Sequence, residues 1–171
     1  MRIRVRSTEA VMYESEWKRY MKETTGNNFG RLDTETLNRF DSDPVLEGPA
    51  ATGGTVYQYS QYDGVEQIDG QWFTKYILGP VFQEYTDDDG AVVTVDAQQT
   101  AYEARKDAEQ AKSIREARDT KIAETDWVVV KALESGQSVP TNYSNYRQAL
   151  RDIPTQSGFP WTVTWPELAN A

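Results

Sequence analysis

Between Asp96 and Glu124 the chain runs for 29 residues without a glycine or a proline. So long an unbroken stretch predicts a single long α-helix, with Asp96 placed to cap it. The helix divides the rest into a part before it and a part after it. The 171 residues therefore accommodate one ordinary domain, or two small modules joined by a helix. Along this segment Ala97, Ala101, Ala104, Ala108 and Ala111 step by four and three, a heptad-like stripe. Ile114, Ala117, Ile122 and Ala123 continue the apolar face in a slipped phase. Seven acidic residues stand against six basic ones there, a net charge of -1. An alanine stripe contributes only about 0.8 kcal/mol per buried methyl, too little to hold a tight coiled coil. Two readings stay open: a solvated strut, or a helix that expects a closely approaching partner.

Composition narrows the chemistry. The chain contains no histidine and no cysteine, which removes Ser-His-Asp and Cys-His nucleophilic sites, thiolate redox chemistry, and His/Cys zinc sites. It also leaves no disulfide framework, so nothing suggests secretion. Aromatic residues make up 12% of the chain against 38% hydrophobic residues overall, which points to small cores built on Trp, Tyr and Phe. A net charge of -9 repels a phosphate backbone unless the cations cluster. The nearest cluster is Arg2, Arg4 and Arg6, whose alternation with Ile3 and Val5 reads as the solvent side of a strand. No apolar run approaches a membrane span. The first residues carry arginines without an apolar stretch, so no signal peptide is read there. A cytoplasmic protein is expected, without nucleic-acid or membrane partners, metals or cofactors.

Before the helix, residues 1–48 read as a small α+β region. Arg2 to Arg6 and Ala10 to Tyr13 are strand-like. Trp17, Tyr20 and Met21 share one face of a helix that Gly26 stops. Thr34, Leu37 and Phe40 suggest a short helix with Asp33 as N-cap, and Asp43-Pro44 precedes an apolar Val45-Leu46. Gly48 to Gly54 is a flexible connection. Residues 55–95 then alternate as an antiparallel β meander: Thr55 to Gln61, Val65 to Ile68, Gln71 to Leu78, Val81 to Tyr85 and Ala91 to Val95. Turns are expected at Asp63-Gly64, Asp69-Gly70, Gly79-Pro80 and Asp89-Gly90. Asp87-Asp88-Asp89-Gly90 lacks the spacing of a calcium loop and reads as a solvated turn. The helix follows at 96–124.

After it, Thr125 to Leu133 continues as helix with Trp127, Val128 and Val130 apolar, and Gly136 and Pro140 end it. Asn142 to Ile153 is a second helix with Tyr143, Tyr146, Ala149, Leu150 and Ile153 on its apolar side, closed by Pro154. The chain then runs Gly158-Phe159-Pro160-Trp161-Thr162-Val163-Thr164-Trp165-Pro166. The expected class is α+β throughout, with a long connecting helix, a C-terminal helical hairpin and an extended aromatic tail.

The order Arg118-Asp119, Thr125-Asp126-Trp127, Tyr146-Arg147-Gln148-Ala149-Leu150-Arg151-Asp152-Ile153-Pro154, Gly158-Phe159-Pro160 and Trp165-Pro166 is specific as a series. It closely resembles the C-terminal module of phage tail-fibre assembly and tail assembly chaperone-like proteins, placed here at residues 113–171. In that family a helical pair is followed by the same run and a final Phe-Pro…Trp-Pro segment. Leu37, Phe40, Pro44 and Val45 fit the front of the family more loosely, and the Thr55 to Val95 sheet is a departure from its shortest members.

On physical grounds the hairpin is expected to bury Trp127 against Tyr146 and Leu150. Asp152, at a helix C-terminus where the dipole disfavours an anion, is expected to pair with Arg118 or Arg147. Tyr146, Arg147 and Arg151 with Phe159, Trp161 and Trp165 are the candidate partner-binding residues. Spacing of two puts the tail aromatics on one side of an extended segment, and rigid aromatics beside proline lose little entropy on docking. Folding of the tail back over Trp127 and Tyr146 is the competing expectation, strongest for Phe159.

The resemblance implies a non-enzymatic chaperone for a tail-fibre or baseplate protein, expected to be trimeric, acting in the host cytoplasm during assembly. The alternative is a structural component of the virion, an adaptor or decoration of fibre or baseplate, with the same fold. A carboxylate hydrolase would need two facing acids, and no such pair stands out. A sugar-binding module would use Trp72, Trp161 or Trp165.

Overall fold

The computed structural model describes residues 1–169. The chain forms two compact units, Met1–Val81 and Phe82–Ala171, and the class is α+β as expected.

The first unit is a five-stranded sheet with two helices. The strands are β1 (Arg2–Val5), β2 (Val11–Tyr13), β3 (Ser42–Leu46), β4 (Tyr59–Ile68) and β5 (Gln71–Gly79), and the helices are α1 (Glu14–Thr25) and α2 (Thr34–Arg39). The sheet order is β2-β1-β3-β5-β4. All neighbours are antiparallel except β3 and β5. Residues on either side of the Gly48 to Gly54 connection therefore share one sheet.

Alternation in β1 works as the sequence suggests. Ile3 and Val5 are buried with Trp17, Met21 and Leu37, while the arginines occupy the opposite face. There the Arg2 guanidinium lies 4.1 Å from the Tyr62 ring and that of Arg4 4.1 Å from the Trp72 ring. Arg6 pairs with Asp43 at 2.6 Å. A buried polar chain runs through the core: Trp17 Nε1 donates to Ser42 Oγ at 2.9 Å, and Ser42 Oγ donates to the Phe40 carbonyl at 2.9 Å. Helix α1 ends at Gly26, whose φ of 74° suits a residue without Cβ, and its N–H closes on the Lys22 carbonyl. Asp33 caps α2 as expected, accepting from the Thr36 N–H at 2.8 Å.

Two sequence expectations change here. Asp43-Pro44 does not precede the strand; Pro44 lies inside β3 opposite Ile3. A proline is tolerated because pairing with β5 begins only at Val45. Asp63-Gly64 is not a hairpin turn. It is a bulge within one ten-residue strand, β4, where the register to β5 shifts between Tyr62 and Val65 and Gly64 takes φ 90°. The hairpin turn is Asp69-Gly70, both at positive φ (49° and 79°), the conformation of a two-residue hairpin loop.

The second unit holds β6 (Tyr85–Thr86), β7 (Val92–Val93), α3 (Val95–Ala123), α4 (Asp126–Glu134), α5 (Thr141–Arg151) and a 3-10 turn at Ile153–Thr155. The last two expected meander strands thus shrink to a separate two-stranded ribbon. Its turn is held by Asp87, whose carboxylate accepts from the N–H groups of Asp89 and Ala91. The Asp-rich loop is a backbone-bonded turn. Thr94, not Asp96, caps the long helix, its hydroxyl accepting from the Ala97 N–H at 3.3 Å.

Candidate protein-binding surface of the second unit

The alanine stripe of α3 is not its packed face. Ala97, Ala101, Ala104 and Ala108 are exposed, and of the five only Ala111 is buried. The covered side runs instead through Asp107, Ala111, Ile114, Arg118 and Ile122. Those positions keep helical spacing but mix polar with apolar residues, so hydrophobic patterning alone does not pick them out. Helix α3 meets α5 and the 3-10 turn on this side.

Where α3 ends, Arg147 of α5 reaches across. Its Nη1 donates to the Ile122 carbonyl at 2.8 Å and to Thr125 Oγ1 at 2.6 Å, and its Nη2 pairs with Asp126 at 2.8 Å. The last turn of a helix has carbonyls without intrahelical partners and a partial negative charge, both of which a guanidinium satisfies. The break at Thr125 is thereby clamped, and α4 starts in a new direction with Val128 and Ala132 inward. Leu150 and Ile153 are fully buried beneath.

Trp127 does not join this core, contrary to expectation. It is 59% exposed and touches the Tyr143 ring edge-on, centroids 6.4 Å apart. The residue that enters the core is its neighbour Val128, one helical step of about 100° further round. Val130 (51% exposed) and Leu133 (75% exposed) continue the outward row. Helix α4 therefore carries three large apolar side chains at intervals of three on its solvent side. The sequence signal for this row is the Trp127, Val130, Leu133 spacing, which the inward Val128 and Ala132 obscure.

Asp152 also departs from expectation. It accepts from Gln148 Nε2 at 2.9 Å, because Arg147 is engaged by Asp126 and Arg118 by Asp119 at 2.7 Å. Asp152 is exposed to water, which screens its charge.

The aromatic tail folds back. It lies along α3. The Phe159 ring is 5.3 Å from the Arg115 guanidinium, Trp161 Nε1 donates to Asp107 Oδ1 at 2.6 Å, and the Trp165 ring is 5.7 Å from Lys121 Nζ. From Trp161 to Trp165 the expected alternation holds, with Trp161, Val163 and Trp165 half-buried and Thr162 and Thr164 exposed. The Gln156 side-chain amide bridges Thr164 from both sides, accepting from its N–H at 2.7 Å and donating to its carbonyl at 2.9 Å. Asn142, next to Tyr143, donates to the Ala169 carbonyl. The end of the tail thus reaches the start of α5, beside the aromatic contact that Trp127 makes.

The structure places the six candidate residues in different settings. Phe159, Trp161 and Trp165 are half-buried along α3. Tyr146 is half-buried on α5, and Arg151 is exposed. The Arg147 side chain is 11% exposed and committed to the module itself.

Other features of the chain lie outside this unit. A cleft of about 630 Å³ in the first unit is lined in part by Arg6, Asn38, Asp43, Leu46 and Trp72. Among the described residues no cluster of three or more potential metal-binding side chains occurs, and no helix is long and apolar enough to cross a membrane.

Comparison with known proteins bears on the second unit. Residues 111–169, about a third of the chain, match the family described as phage tail assembly chaperone protein. No curated protein and no solved structure was found to match. The matched segment begins at Ala111, the buried alanine of α3, and takes in the Arg147 clamp, α4, α5 and the aromatic tail. That is the stretch whose ordered motifs carry the resemblance in the sequence. Residues 111–169 of this chain are thus similar to the phage tail assembly chaperone family.

Proposed function

We propose that this chain is a phage tail assembly chaperone-like protein that binds a tail-fibre or baseplate protein and assists its folding, trimerisation or attachment, without catalysis. The observation that carries this reading is the outward apolar row Trp127, Val130 and Leu133, set within the segment that matches the family. Apolar side chains this large and this exposed, aligned on one helix, are a feature of interaction surfaces. Trp127 and Tyr143 supply the aromatic anchor that hot spots favour. Arg151, Tyr146 and the half-exposed tail aromatics extend the proposed contact surface. Arg147 supports it from beneath. The net charge of -9 keeps such a surface soluble while unoccupied.

Co-expression with a tail-fibre protein, followed by size-exclusion chromatography with light scattering, tests the reading. A stoichiometric complex that weakens on Leu133→Ser supports it. A fibre protein that folds and trimerises equally well alone would sink the chaperone role. Mass spectrometry of purified particles separates a departing chaperone from a retained virion component, since only the latter is present in stoichiometric amount.

A further inference from the structure

We infer that residues 158–169 form a releasable strap, closed on α3 in this structure and latched by Gln156. The core of the second unit stops before the strap begins: among the described residues, Ile153 is the last buried one. The segment beyond it is only half-buried and makes several polar contacts. The Phe159 and Trp165 rings lie against the cationic ends of Arg115 and Lys121, and cation–π contacts are weak where water reaches them. Trp161 meets α3 through an indole N–H on a carboxylate. Between these contacts the backbone of Thr164 is held by a side chain, the Gln156 amide, which imitates the donor and acceptor of a neighbouring strand. A half-buried segment tied by side-chain contacts, with no fully buried residue among those described, opens locally at lower cost than the core beneath it.

Opening frees the faces of Trp161 and Trp165 together with Arg115 and Lys121. The strap is thus an intramolecular occupant of its own aromatic and cationic surface. The use of that surface for a tail protein rests on the proposed function; the strap itself does not.

Hydrogen exchange of the full chain, without any partner, tests it. The reporters are the Trp161 indole N–H and the Thr162 amide, which bonds to the Gly158 carbonyl. Both are expected to exchange at least tenfold faster than amides around Leu150. Gln156→Ala removes two hydrogen bonds and is expected to speed both by roughly ten- to a hundredfold, leaving the Leu150 region unchanged. Protection of the reporters equal to that of the Leu150 region, or no response to Gln156→Ala, or acceleration of both regions alike, would overturn the strap. A failure of partner binding leaves this result untouched.

Discussion

Arg147 closes the end of the long helix, its Nη1 sitting 2.8 Å from the carbonyl oxygen of Ile122, 25 residues earlier in the chain. The same guanidinium holds the Thr125 hydroxyl and Asp126, so one side chain defines where α3 stops and α4 turns away. Arg147→Ala is expected to destabilise the second unit by about 2–3 kcal/mol, from the loss of charge-assisted hydrogen bonds. Arg147→Lys should recover only part of this, because an ammonium lacks the planar fork that reaches three acceptors at once. Urea unfolding checks both, and a wild-type midpoint for the alanine variant would refute the clamp.

In the core of the first unit the Trp17 indole N–H donates to Ser42 Oγ at 2.9 Å. Ser42→Ala leaves that buried donor unsatisfied and is expected to cost about 1–3 kcal/mol. Trp17→Phe combined with Ser42→Ala should cost less than the sum of the two single changes, since the second removes a need the first no longer has. A thermal-unfolding cycle measures the coupling, and strict additivity would argue against it.

The outward row of α4 makes the opposite prediction. Val130→Ser and Leu133→Ser alter side chains that face water, so stability should change by no more than about 0.5 kcal/mol each. Binding to a tail protein should nevertheless fall when the two are combined. Equal losses of stability and binding would mean that these residues serve the fold.

Three surface carboxyls carry a pH signature. Asp33 is held below the usual carboxylate range by hydrogen bonds from the Thr36 side chain and backbone N–H. Glu14 is lowered by its bond to Lys18, and Glu109 by Lys106 and Arg105. A carboxyl lowered in the folded state adds stability above its unfolded pKa, and that contribution disappears as pH falls through the lower folded value. Stability is therefore expected to be flat near neutrality and to decline below about pH 4. NMR titration should place the Asp33 midpoint below that of an unstructured aspartate, and Thr36→Val should move it upward.

Much of the local structure is legible in the residues themselves. The absence of any breaker over 29 residues dictates α3, Asp33 announces α2, and Asp69-Gly70 announces the hairpin. The ordered motifs from Arg118 to Pro166 mark the C-terminal module. Each is a short-range property, set by dihedral preference, capping or fixed spacing.

What the tertiary structure decided is which side of each element faces in. Helix α4 is apolar nearly all round, so periodicity cannot rank Trp127 above Val128 for the core; the Arg147 clamp sets the helix direction and puts Val128 inside. Pairing of β3 with β5 joins strands separated by the Gly48 to Gly54 connection, and nothing in either strand alone names its neighbour. The tail's aromatics meet α3 through single charged groups far away in the chain. Such contacts depend on where the backbone brings Asp107, Arg115 and Lys121. Local preference determines the elements of this chain, while long-range packing determines their faces, and with them the surface left open to a partner.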